Sequence, residues 1–106
     1  MNKLIINSQD TLRFISIPSI KYCKSDNCYT SVFLDNGEEL IVCKSLKKLS
    51  DEISSQQFIR VSQSFLVNKD HIKLIDKKNK QLKLLDDKQI PFTTSIAELL
   101  VLMKIK

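Results

Sequence analysis

Short apolar segments interrupted by turn-forming residues run along nearly the whole chain, and this pattern constrains the fold most. Each segment holds four to seven residues, and most of the gaps between them are two to four residues long. A parallel pair of strands needs a crossover of about a dozen residues, whereas an antiparallel pair needs only a tight turn. The chain is therefore predicted to be mainly β, built from antiparallel sheet.

The segments predicted to be strands alternate in polarity or carry β-branched and aromatic residues. Pro91 restricts the last of them to a sheet edge, because proline has no N–H to donate. The pair Asn36-Gly37 suits a tight hairpin turn, so residues 20–43 are predicted to form a three-stranded meander. Residues 62–68 are expected to be a tight, partly buried connection. The predicted strands are Lys3–Asn7, Thr11–Ile17, Ile20–Lys24, Tyr29–Leu34, Glu39–Cys43, Phe58–Val61, His71–Asp76, Gln81–Leu85 and Gln89–Phe92.

Two segments change to the helical period. One is a middle helix over Ser45–Ser54, with Ser45 as its N-cap, and the other is a short C-terminal helix capped by Ser95. Glu98 lies three residues after Ser95, which is the spacing of a capping box. The apolar positions are Leu46, Leu49 and Ile53 in the first helix, and Ile96, Leu99, Leu100 and Met103 in the second.

Composition limits the size and the class of the protein. With 106 residues, 42% of them apolar and 27% charged, the chain is expected to form one domain over residues 1–106 with a modest core. The chain is too short for a multidomain enzyme. Because Gly37 is its single glycine, it has no Gly-rich phosphate loop. No apolar run approaches the length that crosses a bilayer, so no membrane partner is predicted. The odd cysteine count argues against a secreted, disulfide-stapled domain and predicts a cytoplasmic location.

Residues for catalysis or metal binding are scarce. His71 is the only histidine, and it is expected to be an exposed residue near a strand start. Cys23 and Cys43 fall in apolar alternation and are predicted core thiols, whereas Cys28 follows a turn and is predicted to be exposed. A zinc site would need four ligands at close spacing. The sequence therefore predicts a protein that is not an enzyme, without a cofactor, a metal or a small-molecule substrate.

The excess of positive charge points to an anionic partner. The net charge is +5, and a solvated lysine-rich surface would explain it equally well. Lys44, Lys47 and Lys48 cluster beside Ser45 at the predicted start of the middle helix, where cations, a hydroxyl and free amides suit a phosphate oxygen. Most aromatic residues occupy core-like positions, so binding to duplex DNA is favoured over base stacking on single strands.

Four blocks in order resemble the LytTR family, bacterial DNA-binding domains often fused behind response-regulator receiver domains. Residues 20–37 resemble the opening block, and residues 44–49 resemble a helix start of the form x-S-L-x-x-L. The most specific block resembles F-x-R-x-H-R-S-x-x-V-N, and Ile90-Pro91 begins a segment similar to I-P-V-S-R. In the specific block the matching residues are Phe58, Arg60, Ser64, Val67 and Asn68.

The resemblance implies an elongated, sandwich-like fold of antiparallel sheets that binds double-stranded DNA as a transcriptional regulator. It implies paired direct repeats as the target, with a possible second copy on the DNA. Three loops would approach the bases, near residues 27–29, at Lys44-Ser45 and at Thr93-Thr94. Together with the basic cluster, the candidate DNA-binding residues are Lys24, Asn27, Cys28, Lys44, Ser45, Lys47, Lys48, Arg60, Ser62, Gln63, Thr93 and Thr94.

The chain departs from the family pattern at positions that matter for readout. Ser62-Gln63 replaces the usual His-Arg, Thr93-Thr94 replaces Ser-Arg, and Lys24 replaces Glu. Arginine is the commonest reader of guanine, so a preference for A·T pairs is expected. The alternative is a protein-interaction module that keeps the fold and has lost specific DNA contacts. Asn68 is expected to fix a turn, and Arg60 either to brace its strand through an ion pair or to contact DNA.

Overall fold

A computed structural model describes residues 3–103, the side chain of Ser8 excepted. Within that range the predicted strands and helices occur in the predicted order, with one additional strand, β7. Two short 3-10 turns, Ile17–Ser19 and Lys69–His71, precede β3 and β8. The elements are β1 (Lys3–Ser8), β2 (Thr11–Ser16), β3 (Ile20–Asp26), β4 (Tyr29–Leu34), β5 (Glu39–Val42), α1 (Leu46–Ile53), β6 (Phe58–Arg60), β7 (Phe65–Asn68), β8 (Ile72–Asp76), β9 (Gln81–Leu84), β10 (Gln89–Pro91) and α2 (Ile96–Met103).

All strand pairs in the described residues are antiparallel, as predicted. The central sheet has five strands in the order β5-β4-β3-β7-β6, and it contains the predicted meander. The hairpin β1-β2 and a three-stranded sheet in the order β10-β9-β8 complete the strands, with β10 at an edge as Pro91 requires. The principal dimensions are 45 × 30 × 24 Å, which makes the fold elongated.

The prediction that residues 62–68 form only a connection is wrong. Residues 65–68 form β7, an interior strand of the central sheet that pairs with both β3 and β6. Leu66, Val67 and Asn68 are all buried, because both faces of this strand are covered. A strand buried on both faces loses the polar–apolar alternation by which half-buried strands are recognised.

The central sheet is covered on both faces, so the domain has two apolar clusters. On one face, β1, β2 and α1 pack on residues such as Cys23 and Leu66. On the other face, β9, β10 and α2 pack on residues such as Tyr22 and Val67. The predicted core residues Phe58, Val61 and Leu66 are buried, and Ile72 is partly buried against the second cluster.

Both helices begin as predicted. The Ser45 hydroxyl oxygen accepts a hydrogen bond from the Lys48 amide at 3.1 Å, and the Ser95 hydroxyl oxygen accepts one from the Glu98 amide at 3.1 Å. These contacts satisfy amides that the first turn of a helix otherwise leaves unpaired. Leu46, Leu49 and Ile53 place the apolar face of α1 on the central sheet.

Asn68 joins three segments of the chain. Its amide donates to the Ile20 carbonyl at 2.9 Å, and its Oδ1 accepts from the Asp70 amide at 3.0 Å and from Gln57 Nε2 at 2.9 Å. The side chain is 2% exposed, so water does not compete for these hydrogen bonds. The expectation that Asn68 fixes a turn is confirmed, and the residue also attaches that turn to the start of β3.

The three cysteines divide differently from the prediction. Cys23 is buried and Cys28 is exposed, as expected, but Cys43 is exposed. The strand β5 ends at Val42, whose side chain points inward, so the next residue points outward beyond the end of the sheet. His71, predicted to be exposed, is half-buried in the turn before β8.

Thiol labelling of the native protein is expected to distinguish these positions. Burial raises the pKa of Cys23 to about 12, so its reactive thiolate is scarce at pH 8. A disulfide reagent should therefore modify Cys28 and Cys43 rapidly and Cys23 only after denaturation. The released chromophore, counted before and after adding guanidinium, checks this, and rapid reaction of all three thiols would contradict the burial of Cys23.

Substitution of Asn68 by alanine is expected to destabilise the fold strongly. It leaves the buried Ile20 carbonyl and the Asp70 amide without their partner, and each lost pairing costs about 1–3 kcal/mol. Urea denaturation should show a loss of about 2–5 kcal/mol in the free energy of unfolding. The control is Gln57→Ala, which removes one of the same hydrogen bonds from a less buried residue and should cost less. Equal effects of the two substitutions would show that the buried hydrogen bond to Ile20 and the partly buried one to Asp70 add nothing.

Candidate nucleic-acid interface

Four loops lie at one end of the central sheet. The strands β3, β5 and β6 end there, while β4 and β7 begin there. We call this end the loop edge, and it comprises the turn Asn27-Cys28, residues 43–45, the turn Ser62–Ser64 and Thr93-Thr94. The three loops that the family resemblance singles out therefore fall on one side of the molecule, with the β6-β7 turn between them.

Hydrogen bonds connect neighbouring loops of this edge. The Thr30 hydroxyl donates to the Lys44 carbonyl at 2.7 Å, which attaches the start of α1 to the β3-β4 turn. The Ser25 amide donates to the Ser64 carbonyl at 2.8 Å, and the Thr93 amide donates to the Val61 carbonyl at 3.0 Å. The loops consequently form a continuous surface with fixed spacing.

The width of the loop edge follows from strand spacing. Five strands separated by about 4.8 Å span roughly 19 Å from β5 to β6. The major groove of B-DNA is about 12 Å wide. An edge of this width can place its middle loops in a groove while its ends lie against the flanking phosphates.

The cationic side chains of the loop edge differ in their availability. Lys48 is exposed and has no ion pair within residues 3–103. Lys47 pairs with Asp51 at 3.4 Å, where both groups are highly exposed, so water and salt weaken the contact. Lys44 is held more closely, 2.8 Å from Glu52 with both side chains about two-thirds buried. Lys24 is exposed, with its ammonium 6.0 Å from the centre of the Phe65 ring.

Arg60 braces the β6-β7 turn and forms no ion pair with any residue from 3 to 103. Its guanidinium donates to the Ser62 carbonyl at 3.1 Å and to the Gln63 carbonyl at 2.9 Å. The Ser62 hydroxyl oxygen accepts from the Ser64 amide at 3.1 Å. These hydrogen bonds hold the turn in shape. Gln63 is exposed at its tip and presents an amide side chain.

Other polar groups of the loop edge also support the backbone. Thr94 donates its hydroxyl to the Val61 carbonyl at 3.0 Å, and Ser45 is occupied as the cap of α1. Asn27 has a φ of 56°, the left-handed conformation that the tight β3-β4 turn requires. Thr93 and Cys28 are exposed, and Tyr29, 46% exposed, stands next to Cys28.

A further loop adjoins this edge; the sequence predicts it as a turn but does not assign it to the candidate site. The turn Lys77–Lys80 connects β8 to β9, and the Phe92 amide donates to the Lys80 carbonyl at 3.2 Å. The lysine-rich turn therefore lies next to the segment that leads into Thr93. The run of lysines was visible in the sequence, but its position depends on the pairing of β9 with β10.

The described part of the chain contains neither a metal-binding cluster nor a membrane-spanning helix. No group of three or more histidine, cysteine, aspartate or glutamate side chains there is arranged to hold a metal ion. Within residues 3–103, no helix has the length and apolar character that crossing a bilayer demands.

Comparison with known proteins agrees with this architecture. A solved structure described as the LytTr DNA-binding domain of a methyl-accepting/DNA response regulator from Bacillus cereus superposes with a TM-score of 0.79. The two sequences are 21% identical over 99% of each chain, so this similarity concerns the fold. The comparison with curated proteins gives no match. The family model of the LytTr DNA-binding domain matches residues 10–103, and the chain therefore belongs to the LytTR family of DNA-binding domains.

Proposed function

We propose that this chain binds double-stranded DNA with a sequence preference, as the DNA-binding domain of a transcriptional regulator, and that the loop edge is its contact surface. The observation that carries this proposal is the continuity of the loop edge, in which hydrogen bonds tie each loop to its neighbour. Loops fixed in this way can approach several base pairs together. Two copies on paired direct repeats are expected, as the family resemblance implies, and the length of selected sites will report this.

The residues of the loop edge fall into two groups under this proposal. Exposed cations contact phosphates, which fixes the position of the protein without reading sequence. Lys24, Lys47 and Lys48 are available for this role, and Lys44 joins them when a phosphate displaces Glu52. Exposed side chains at the loop tips contact base edges, namely Asn27, Cys28, Gln63 and Thr93. Ser45, Arg60, Ser62 and Thr94 hold these loops in position.

The chemistry of the loop tips favours A·T pairs. Arg60 is the edge's one arginine among the described residues, and its guanidinium is occupied by the carbonyls of the β6-β7 turn. That contact uses two of the five N–H donors of the guanidinium, so reading of guanine by arginine is limited to what this one tethered side chain can reach. Tyr29 offers an exposed aromatic ring, which can pack against the thymine methyl group in the major groove.

The two groups of residues are expected to respond differently to substitution. Lys48→Gln should weaken binding to all duplexes by the same factor and reduce the salt slope by about 0.9, the value for one phosphate contact. Thr93→Val removes a hydroxyl at nearly constant volume, so it should change the ranking of duplexes by about 1–3 kcal/mol and leave the salt slope unchanged. Fluorescence anisotropy against selected and scrambled duplexes at several salt concentrations measures both quantities.

The control for charge is Lys88→Gln, because Lys88 is an exposed lysine in the turn between β9 and β10, away from the loop edge. It should change neither the ranking nor the salt slope. Binding by the unmodified chain that shows no sequence preference and no dependence on salt would refute the proposed function. Identical responses of the Lys48 and Thr93 variants would refute the division of roles.

Replacement of thymine by uracil tests the role of Tyr29. The change removes one methyl group, and burial of such a group contributes about 0.8 kcal/mol, or about fourfold in affinity. At the critical thymine of a selected site, uracil should weaken binding of the unmodified chain and of Tyr29→Phe by about this factor. Tyr29→Ala should bind both duplexes equally. A thymine preference that persists in Tyr29→Ala would assign methyl recognition to another residue.

A protein-interaction module is the second candidate, and one surface favours it. The outer face of the hairpin β1-β2 exposes Ile5, Leu12 and Phe14, with 46%, 58% and 62% of their surfaces accessible. Ile5 lies directly opposite Phe14 in the hairpin, so these side chains form a contiguous apolar patch. Such patches often mark contacts with other proteins. This candidate would be favoured if the unmodified chain binds no duplex DNA at any salt concentration and self-associates in a way that Phe14→Ser abolishes.

A further inference from the structure

We propose that the turn between β8 and β9 is a phosphate-binding site that extends the DNA contact beyond the loop edge. The inference rests on the proposed function and adds a sequence-independent anchor to it. Its cationic groups are Lys77, Lys78 and Lys80, all of them exposed.

The position of this turn follows from backbone pairing. Pro91 lies opposite Gln81 in the three-stranded sheet, and the Phe92 amide donates to the Lys80 carbonyl. The amide of the next residue, Thr93, donates to the carbonyl of Val61, which directly follows β6. A surface that follows the loop edge past Thr93 therefore reaches the lysine turn next.

The charges of the turn are available to a ligand. Lys77, Lys78 and Lys80 form no ion pair within residues 3–103. The nearest acid along the chain, Asp76, is occupied by Asn79, whose backbone amide and side-chain amide donate to it at 3.1 and 2.9 Å. Its partnership with Asn79 also lowers the pKa of Asp76.

The opposite end of the same sheet provides an internal comparison. There three cations are matched by acids, since Lys73 lies 3.3 Å from Asp87, Lys83 lies 4.0 Å from the same carboxylate, and Lys21 lies 2.7 Å from Asp86, whereas Lys88 has no ion pair within residues 3–103. Among the described lysines at the two ends of this sheet, three are therefore unpaired at the end that adjoins the loop edge and one is unpaired at the other.

The chemistry of the turn specifies phosphates rather than bases. An ammonium group is a compact point charge on a flexible stem, without the planar fork that arginine uses to read guanine. The turn itself is held in shape by the Asp76–Asn79 contacts and by Lys80 in the left-handed conformation, with a φ of 54°. A rigid turn that carries flexible cations suits contact with DNA phosphates outside the base-reading region.

The test compares two triple variants that each remove three positive charges. Lys77→Gln/Lys78→Gln/Lys80→Gln should weaken binding to selected and scrambled duplexes by the same factor, and should reduce the slope of log K against log salt by about 2.7 if each lysine contacts a phosphate. Lys73→Gln/Lys83→Gln/Lys88→Gln is the matched control and should leave this slope unchanged. Circular dichroism and thermal unfolding establish that both variants fold.

Neutral phosphate analogues locate the contact on the DNA. Methylphosphonate groups placed in the flank of a selected duplex should weaken binding by the unmodified chain and by the control variant, and should not affect the variant of the β8-β9 turn. Equal salt slopes for the two triple variants would overturn the inference while the proposed function stands. If the unmodified chain binds no duplex, the proposed function itself fails.

Discussion

The pairing of β3 with β7 is the interaction on which the rest of the structure depends. It joins the meander of residues 20–43 to the hairpin formed by β6 and β7, two units that are separated by α1 in the sequence. Its register sets Tyr22 opposite Val67 and Lys24 opposite Phe65. The same register leads Ser25 to its hydrogen bond with Ser64, so the order of the loops follows from the arrangement of the strands.

Coverage of both faces of the central sheet decides where function can reside. Because β1, β2 and α1 occupy one face and β9, β10 and α2 the other, the loops at the ends of the central strands are the parts of this sheet that these elements leave uncovered. Loops at a strand end are free of packing constraints on their outer side chains, while their backbones remain fixed by the sheet. Several side chains of the loop edge, Arg60 and Thr94 among them, contribute to this by donating hydrogen bonds to backbone carbonyls.

Much of the fold could be predicted because its signals are local. Asn36-Gly37 specifies the hairpin between β4 and β5, with Gly37 at a positive φ, Ser45 specifies the start of α1, and Asn68 specifies a turn, each through contacts with residues close in sequence. The failures concern non-local effects. The strand β7 has no alternation because distant elements cover both of its faces, and Cys43 is exposed because the central sheet ends before it. The hydroxyl of Thr94 belonged to the predicted site, but its bond to Val61 comes from another part of the chain.

The sequence by itself determined the antiparallel class, the positions of both helices and the family, since turn length, capping and residue pattern act over a few residues. Only the tertiary structure decided which loops share an edge, which cations are free and where the lysines of the β8-β9 turn lie. These properties depend on the pairing of strands that are far apart in the chain, and the free energy of that pairing comes from packing and hydrogen bonds that no short segment contains.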